Sequence, residues 1–255
     1  MKLPVALTIA GSDSGGGAGI QADLKTFAML GVHGTSAITA ITAQNTTGVT
    51  DILELPVRLI REQIKVVAED IGVDAAKTGM LSSPEIIAAV AAALAEYSID
   101  KLVVDPVMVA KGGAKLLRDD AVSALREHLI PLATVITPNL HEAIALVGDL
   151  GSRAELAAAL HRLGARAVIV TGGHGEESID HLFDGERHVE IAVKRHEVAA
   201  THGAGCTHSA TLAANLAKGL SLVKGAENAA RAASEAVRNG LVEIGAGEGP
   251  VDVLA

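Results

Sequence analysis

Tryptophan is absent from this sequence of 255 residues, and other aromatic residues are nearly absent. One tyrosine and two phenylalanines are too few to form a core, so we expect an aliphatic core, for which apolar residues at 49% of the chain suffice. The single cysteine, Cys206, excludes an internal disulfide framework. Runs of Lys and Arg are also absent and the net charge is −9, so the sequence predicts no nucleic-acid partner.

Long apolar stretches are missing as well. The longest, Ile86 to Ala95, has about half the length of a membrane span. The apolar run Leu3 to Ala10 is short and contains Pro4, unlike the centre of a signal peptide. We therefore expect a cytoplasmic protein with no membrane partner.

Short β-branched apolar runs alternate with longer Ala-rich stretches of helical period. The runs are nearly continuous in hydrophobicity, which is typical of parallel strands buried on both faces. The predicted strands are Leu3–Ala10, Thr35–Ile41, Ala75–Thr78, Leu102–Asp105, Thr134–Thr137 and Ala167–Thr171. The predicted helices between them are Gly19–Leu30, Pro56–Ile71, Pro84–Tyr97, Asp119–Leu129, Leu140–Val147 and Arg153–Leu163.

The last third of the chain has a different pattern. The segments Ser178–Phe183 and His188–Val193 flank the turn signal Asp184-Gly185-Glu186-Arg187, which predicts a late antiparallel hairpin. The two further predicted helices are Gly205–Lys218 and Leu222–Val242. Because repeats, low-complexity tracts and linkers are absent, we expect one α/β domain over residues 1–255, with helices on both faces of a mostly parallel sheet.

Two glycine-rich clusters follow predicted strands and precede predicted helices. They are residues 11–19, Gly-Ser-Asp-Ser-Gly-Gly-Gly-Ala-Gly, and residues 201–207, Thr-His-Gly-Ala-Gly-Cys-Thr. Glycine lets the backbone approach a ligand and turn its N–H groups toward an anion at a helix start. One such cluster could be only a tight turn, but two in one chain favour a ligand cleft at the sheet edge.

Neither cluster matches a standard nucleotide motif. No G-x-x-x-x-G-K-[ST] occurs, which excludes a P-loop nucleoside triphosphatase. Ile20 and His208 stand where the motif G-x-G-x-x-G needs its last glycine, which disfavours a nicotinamide oxidoreductase.

Cys206 lies at the predicted start of a helix, where the helix dipole favours a thiolate. The amides of Ala204, Gly205 and Cys206 would form a cradle for an oxyanion or a phosphate. We therefore predict that the thiol is a nucleophile or a proton acceptor, the alternative being a small core residue. Nearby His202 and His208 suggest a metal, but a second spaced ligand pair is missing, so the sequence does not support a zinc site.

Further short motifs are distributed along the chain. Residues 10–26 read Ala-Gly-Ser-Asp-Ser-Gly-Gly-Gly-Ala-Gly-Ile-Gln-Ala-Asp-Leu-Lys-Thr. The other motifs, in order, are Ala43-Gln44-Asn45-Thr46, Lys77-Thr78-Gly79-Met80-Leu81, Val104-Asp105-Pro106-Val107-Met108-Val109, Thr137-Pro138-Asn139-Leu140-His141-Glu142-Ala143, Gly172-Gly173-His174 and the second glycine cluster. Together they resemble the hydroxymethylpyrimidine/phosphomethylpyrimidine kinases of thiamine biosynthesis, which belong to the ribokinase-like superfamily.

The resemblance implies a three-layer αβα fold, ATP and Mg²⁺ as requirements, and a homodimer. It also implies two reactions, the phosphorylation of 4-amino-5-hydroxymethyl-2-methylpyrimidine and then of its monophosphate. Gln44 matches the family's pyrimidine-binding glutamine, and its amide offers a donor and an acceptor to the edge of an aminopyrimidine. The other positions that match the family's pyrimidine pocket are Gly11, Ala18, Asp23, Met80 and Val107.

The nucleotide side carries a second set of implied roles. Asn139 and Glu142 match the superfamily's N-x-x-E signature, in which Glu142 organises Mg²⁺ and Asn139 positions a phosphate oxygen or a water. Asp105 resembles a second acidic group near the metal. From the residues alone, Asn139 and Glu142 also predict a capping box at a helix start.

The resemblance places Cys206 where most ribokinase-like enzymes carry an aspartate base, next to the anion loop formed by Gly203, Ala204 and Gly205. Cys206 would accept the proton of the substrate hydroxyl during the first transfer. Thr171 stands where the family often has a lysine, so a contact to ATP phosphate would come from Thr171 or from Lys111.

Two alternative functions remain open from the sequence. The change at Thr171, and Ala204 in place of a common threonine, also occur in a branch that resembles Cys-containing pyridoxal kinases. The tripeptide Gln44-Asn45-Thr46 favours the pyrimidine over pyridoxal. A nucleotide-binding protein without activity is the other alternative, and the joint presence of Cys206 and two acidic residues disfavours it.

Overall fold

The computed structural model describes residues 3–110, 113–118, 120–173 and 178–254. Across these ranges nine strands form one sheet in the order β3-β2-β1-β4-β5-β6-β7-β8-β9. The strands are β1 Val5–Asp13, β2 His33–Asn45, β3 Gly48–Glu54, β4 Ala75–Thr78, β5 Leu102–Val104, β6 Val135–Ile136, β7 Val168–Val170, β8 Ile179–Phe183 and β9 His188–Ala192.

The centre of the sheet is parallel and its edges are antiparallel. Strands β2, β1, β4, β5, β6 and β7 run parallel to one another. Strand β3 is antiparallel to β2, and β8 and β9 add an antiparallel hairpin beside β7. The six predicted strands and the late hairpin are confirmed. A parallel arrangement brings the carboxyl ends of the central strands to one edge of the sheet.

Helices connect the strands and follow the predicted order. They are α1 Gly19–Met29, α2 Val57–Val66, α3 Pro84–Glu96, α4 Ala121–Ala124, α5 Leu140–Val147, α6 Arg153–His161, α7 Ala204–Ala217 and α8 Leu222–Arg238. Two of them, α2 and α4, continue into π-helical turns over Val67–Ile71 and Leu125–Leu129. Within the described ranges, none of the helices combines the length and the apolar character needed to cross a bilayer.

The core lies in two layers because neighbouring residues of a strand point to opposite faces of the sheet. On one face Leu7, Ile9 and Val104 pack with α2 to α6. On the other face Ala6 and Val103 pack with α1, α7 and α8. The predicted three-layer αβα architecture and its aliphatic core are therefore confirmed.

Strand β3 was not predicted from the sequence. It pairs with the end of β2, and all seven of its residues are partly or fully exposed, including Leu53 at 65%. An edge strand of this kind covers no core, so it has no continuous apolar run to signal it. The pairing extends β2 four residues beyond the predicted end at Ile41, which carries Gln44 to the edge of the sheet where the glycine loops lie.

Candidate active site

A cavity of about 1170 Å³ lies at the carboxyl ends of the parallel strands. Thirteen of the fifteen residues predicted for the site line it: Gly11, Ala18, Gln44, Met80, Asp105, Val107, Asn139, Glu142, Thr171, Gly203, Ala204, Gly205 and Cys206. The other two are Asp23, which the structure places elsewhere, and Lys111, which falls outside the described residues. The fold thus brings together residues that lie almost 200 positions apart in the chain.

The first glycine loop is organised by a carboxylate that the sequence analysis had not singled out. Asp13, the last residue of β1, accepts hydrogen bonds from the amides of Gly15, Gly17 and Ala18 at 2.8, 3.1 and 2.9 Å. Burial acts to raise the pKa of Asp13, but its hydrogen bonds to His202 and to the loop amides outweigh that effect, and the pKa lies below its ordinary value. Asp13 is therefore a carboxylate that holds this loop in shape.

The second glycine loop packs directly on the first. Gly203 precedes α7 with φ +91°, a conformation that favours glycine, and a Cβ at this position would overlap the carbonyl oxygen of Gly17. His202 adds a side-chain link, since its Nε2 lies 2.9 Å from Oδ2 of Asp13. Sequence reasoning had considered His202 only as a metal ligand. The sequence signal for the contact between His202 and Asp13 was that one glycine loop contains a histidine and the other an aspartate.

Asp23 is a correction to the predicted pyrimidine pocket. Its side chain is fully buried on α1, accepts the Thr8 hydroxyl at 2.6 Å, and does not line the cavity. Its main partner is Lys77 of β4, whose Nζ lies 3.0 Å from both carboxylate oxygens. A short polar residue in the first helix turns cannot be assigned to cavity or core without knowing which face of the helix covers the sheet.

Lys77 lies between Asp23 and the cavity. Its side chain is fully buried, yet the residue is part of the cavity wall. Its Nζ also lies 3.9 Å from Oδ2 of Asp105, which in turn accepts a hydrogen bond from Ser209 of α7 at 2.8 Å. Burial acts to lower the pKa of Lys77, but the nearby carboxylates outweigh it and raise the pKa, so the ammonium keeps its charge. The sequence signal was a lysine inside an otherwise apolar strand.

Cys206 departs from the expectation that the helix dipole favours its thiolate. The residue is half-buried at the start of α7. Burial raises the pKa of Cys206 to about 12, although Lys77 and a hydrogen bond from the Gly19 amide act in the opposite direction. The carboxylates of Asp23 and Asp105 raise the pKa further. At neutral pH the group is therefore a thiol, not the thiolate that the helix start predicts.

Asn139 and Glu142 form the predicted capping box at the start of α5. The Glu142 amide donates to Oδ1 of Asn139 at 3.0 Å, and the Asn139 amide donates to Oε2 of Glu142 at 2.9 Å. Both side chains also line the cavity, so the cap and the site are built from the same residues. Burial, and secondly the charge of Asp105, raise the pKa of Glu142 to about 8.

We expect Glu142→Gln to stabilise the metal-free protein at alkaline pH. Since the native pKa exceeds the ordinary 4.5, native-state stability falls as pH rises from 4.5 through about 8, and glutamine mimics the protonated form while keeping the cap. In EDTA, urea unfolding at pH 5 would show similar stabilities, and at pH 9 the variant would exceed the wild type by about 1 kcal/mol or more. A variant that is less stable at both pH values would contradict this.

Two of the predicted phosphate ligands lie at neighbouring strand ends of the cavity. Thr171 follows β7 and forms a parallel bridge with Asn139, which places these two predicted phosphate ligands side by side. Lys194 and Arg195, which follow β9, also line the cavity and were missed. They could not be assigned from the sequence because the loop after an antiparallel edge strand has no fixed relation to the parallel strand ends.

The sheet has helices on both faces, and two glycine loops touch at its carboxyl edge. This edge also carries a thiol at the start of α7 and an N-x-x-E capping box. These features define a kinase of the ribokinase-like class. Residues 13–252 match the family described as phosphomethylpyrimidine kinase. The chain therefore belongs to that family of phosphotransferases.

Relatives cover the full chain. A hydroxymethylpyrimidine/phosphomethylpyrimidine kinase of Bacillus subtilis (strain 168) is 50% identical and aligns with 100% of this chain and 96% of its own length. One from Rhizobium meliloti (strain 1021) is 52% identical, covering 97% of this chain and 96% of its own. Among solved structures, the pyridoxal kinase from Staphylococcus aureus in complex with AMP-PCP and pyridoxal has a TM-score of 0.90 at 36% identity, covering 100% of this chain and 95% of that one.

Proposed function

We propose that this protein transfers the γ-phosphoryl group of ATP to the hydroxymethyl group of 4-amino-5-hydroxymethyl-2-methylpyrimidine, and then a second phosphoryl group onto the monophosphate. The observation that carries the proposal is that Gln44 and Cys206, the two residues this chemistry needs, line one cavity. The family membership and the named relatives support the same pair of reactions.

The substrate end of the cavity suits an aminopyrimidine. The ring presents an amine beside a ring nitrogen, a donor next to an acceptor, and the Gln44 amide presents the complementary pair. Met80 and Val107 line the same cavity and offer apolar contact to the ring and its methyl group. Gly11 and Ala18 have small side chains and leave room in the pocket. At Gly11 a larger residue would be crowded, because a Cβ there would lie 3.2 Å from Sδ of Met80.

The transfer end lies at the start of α7. The amides of Gly205 and Cys206 in the first turn of α7 can donate to the phosphoryl oxygens whose charge must be balanced during transfer. The Ala204 amide, also predicted for this cradle, already donates to the carbonyl oxygen of Thr201 at 3.2 Å. In its thiolate form, after the thiol has lost its proton to solvent, Cys206 would accept the proton of the hydroxymethyl group as the hydroxymethyl oxygen attacks phosphorus. Lys77, charged and close to Cys206, lowers the cost of the thiolate in a cavity that otherwise disfavours it.

The residues present fit Mg²⁺ as a partner of ATP. Among the described residues no three acidic, histidine or cysteine side chains converge to hold a metal alone. Asp105 and Glu142 nevertheless lie close enough for one carboxylate to raise the pKa of the other, which a divalent cation would relieve. Mg²⁺ usually binds through one or two carboxylates, water and substrate phosphates, and it neutralises charge on the phosphates. Asn139 and Thr171, with Lys111, would hold the phosphate oxygens.

Some properties of the assembly belong to the same proposal. We propose one ribokinase-like domain over residues 1–255, since all described strands share one sheet. A homodimer is supported by Ile41 and Leu53, an exposed apolar pair opposite each other on β2 and β3. Cytoplasmic location is supported by the need for a reduced thiol in the site.

Pyridoxal is the second candidate substrate, because the Staphylococcus aureus pyridoxal kinase shares this fold over the full chain. Parallel measurement of ADP release with the aminopyrimidine and with pyridoxal separates the two. We expect the aminopyrimidine to give the higher kcat/KM. A higher kcat/KM with pyridoxal would overturn the proposal.

We expect Gln44→Met to raise KM for the aminopyrimidine on the order of 10- to 100-fold, because the variant leaves the ring's donor and acceptor unpaired. The pyridoxal reaction should change much less. Gln44→Glu separates shape from hydrogen bonding, since a carboxylate keeps the size but cannot donate to the ring nitrogen. Unchanged KM in both variants would show that Gln44 does not contact the pyrimidine.

A further inference from the structure

The orientation of the Gln44 amide decides what the pocket presents to its ligand. One end of this amide lies 3.4 Å from Nε2 of His202, and the other lies 3.2 Å from Oγ1 of Thr42. An amide has an oxygen that accepts and a nitrogen that donates, and a half-turn about its last bond exchanges them with little change in shape. The hydrogen-bonding roles of His202 and Thr42 therefore determine which end of the Gln44 amide is the oxygen and which is the nitrogen.

The His202 side requires an acceptor. Asp13 is a carboxylate that only accepts, and its Oδ2 lies 2.9 Å from Nε2 of His202, so this nitrogen carries a hydrogen. A nitrogen that donates to Asp13 cannot also accept from Gln44. It can, however, share its hydrogen with an oxygen 3.4 Å away.

The Thr42 side requires a donor. Thr42 has one hydroxyl hydrogen, and the carbonyl oxygen of Ser12, which can only accept, lies 3.0 Å from its Oγ1. With that hydrogen used, Oγ1 is left to accept from Gln44. With its nitrogen at the His202 end, the Gln44 amide would face a second donor there. With its oxygen at that end, both ends of the amide have a partner.

We propose that His202, held by Asp13, fixes the Gln44 amide with its oxygen toward the second glycine loop and its nitrogen toward Thr42, and so sets which ring edge the pocket accepts. An aminopyrimidine then binds with its amine on the His202 side and its ring nitrogen on the Thr42 side. This positioning role rests on the proposed contact between Gln44 and the pyrimidine. It links pyrimidine selection to the loop that carries Cys206.

The test uses a pair of substrates with opposite edges. Replacing the 4-amino group by an oxo group turns the donor into an acceptor and the ring nitrogen into a donor, so only a reversed amide could bind it in the same pose. The measured quantity is the ratio of kcat/KM for the amino substrate to that for its 4-oxo analogue. His202→Leu removes the donor that holds the amide, and His202→Gln restores a donor near the same place.

We expect His202→Leu to lower this ratio about tenfold, as the released amide turns to serve the oxo ring, and His202→Gln to recover most of it. If His202→Leu lowers kcat/KM for both substrates by the same factor, His202 only holds the loops together and the proposal is wrong. Gln44→Met distinguishes this failure from failure of the proposed function. If Gln44→Met leaves the ratio of kcat/KM for the amino and 4-oxo substrates at its wild-type value, Gln44 does not discriminate between the two ring edges and the proposed contact with the pyrimidine is wrong.

Discussion

Replacing Cys206 with alanine should slow the first phosphoryl transfer by about 10²- to 10⁴-fold, the range typical of a lost general base. The second transfer should change far less. Its nucleophile is a phosphate monoester, whose second pKa of about 6 leaves it ionised at neutral pH without help from a base. The two steps are measured separately, with the alcohol and with the monophosphate as starting substrate, so each is the control for the other.

The raised pKa of Cys206 gives the same prediction a pH signature. Because the thiol has a pKa of about 12, the thiolate fraction grows about tenfold per pH unit across the range where the protein can be assayed. The first transfer should therefore accelerate between pH 7 and 9 in the wild type, and this slope should vanish in Cys206→Ala. Equal losses in both steps, or an unchanged slope, would argue against Cys206 as the base.

Lys77→Met is expected to be among the most destabilising single changes in this protein, at about 3–5 kcal/mol in the free energy of unfolding. The substitution keeps an unbranched chain of similar length but leaves the buried carboxylate of Asp23, and the nearby Asp105, without their cation. Urea unfolding measures the loss. A change below about 1 kcal/mol would show that the pair is not an ion pair in solution.

The double variant Lys77→Met, Asp23→Asn separates stability from catalysis. Asparagine can still accept the Thr8 hydroxyl, so removing both charges should recover much of the lost stability. The first transfer should stay slow, because losing Lys77, which lowers the pKa of Cys206, outweighs losing Asp23, which raises it. The second transfer should recover with the fold. Recovery of both transfers would assign Lys77 a structural role only.

Local sequence patterns were sufficient for the framework of this site. The central strands are buried on both faces, so their apolar runs stand out in the sequence, and strand ends of a parallel sheet must meet at one edge. The capping box of Asn139 and Glu142 depends on residues three positions apart, which is why it could be predicted. The glycine loops are likewise short segments whose position between strand and helix indicates a ligand.

Contacts between distant segments could not be predicted in this way. Strand β3 covers no core and has no apolar signature, yet it places Gln44. Asp23 and Lys77 are 54 positions apart, and only the packing of α1 on the sheet makes them partners. The pKa of Cys206 depends on burial by the whole cavity wall, which outweighs the local effect of the helix start.

The order of strands and helices along the chain, the aliphatic composition of the core and the short motifs that bear the chemistry could all be predicted from the sequence, because each depends on residues within a few positions of one another. Which charges are paired, and whether the Cys206 thiol keeps its proton, follow instead from the tertiary structure. Those properties depend on desolvation and on hydrogen bonds between segments that only the folded sheet brings within about 3 Å.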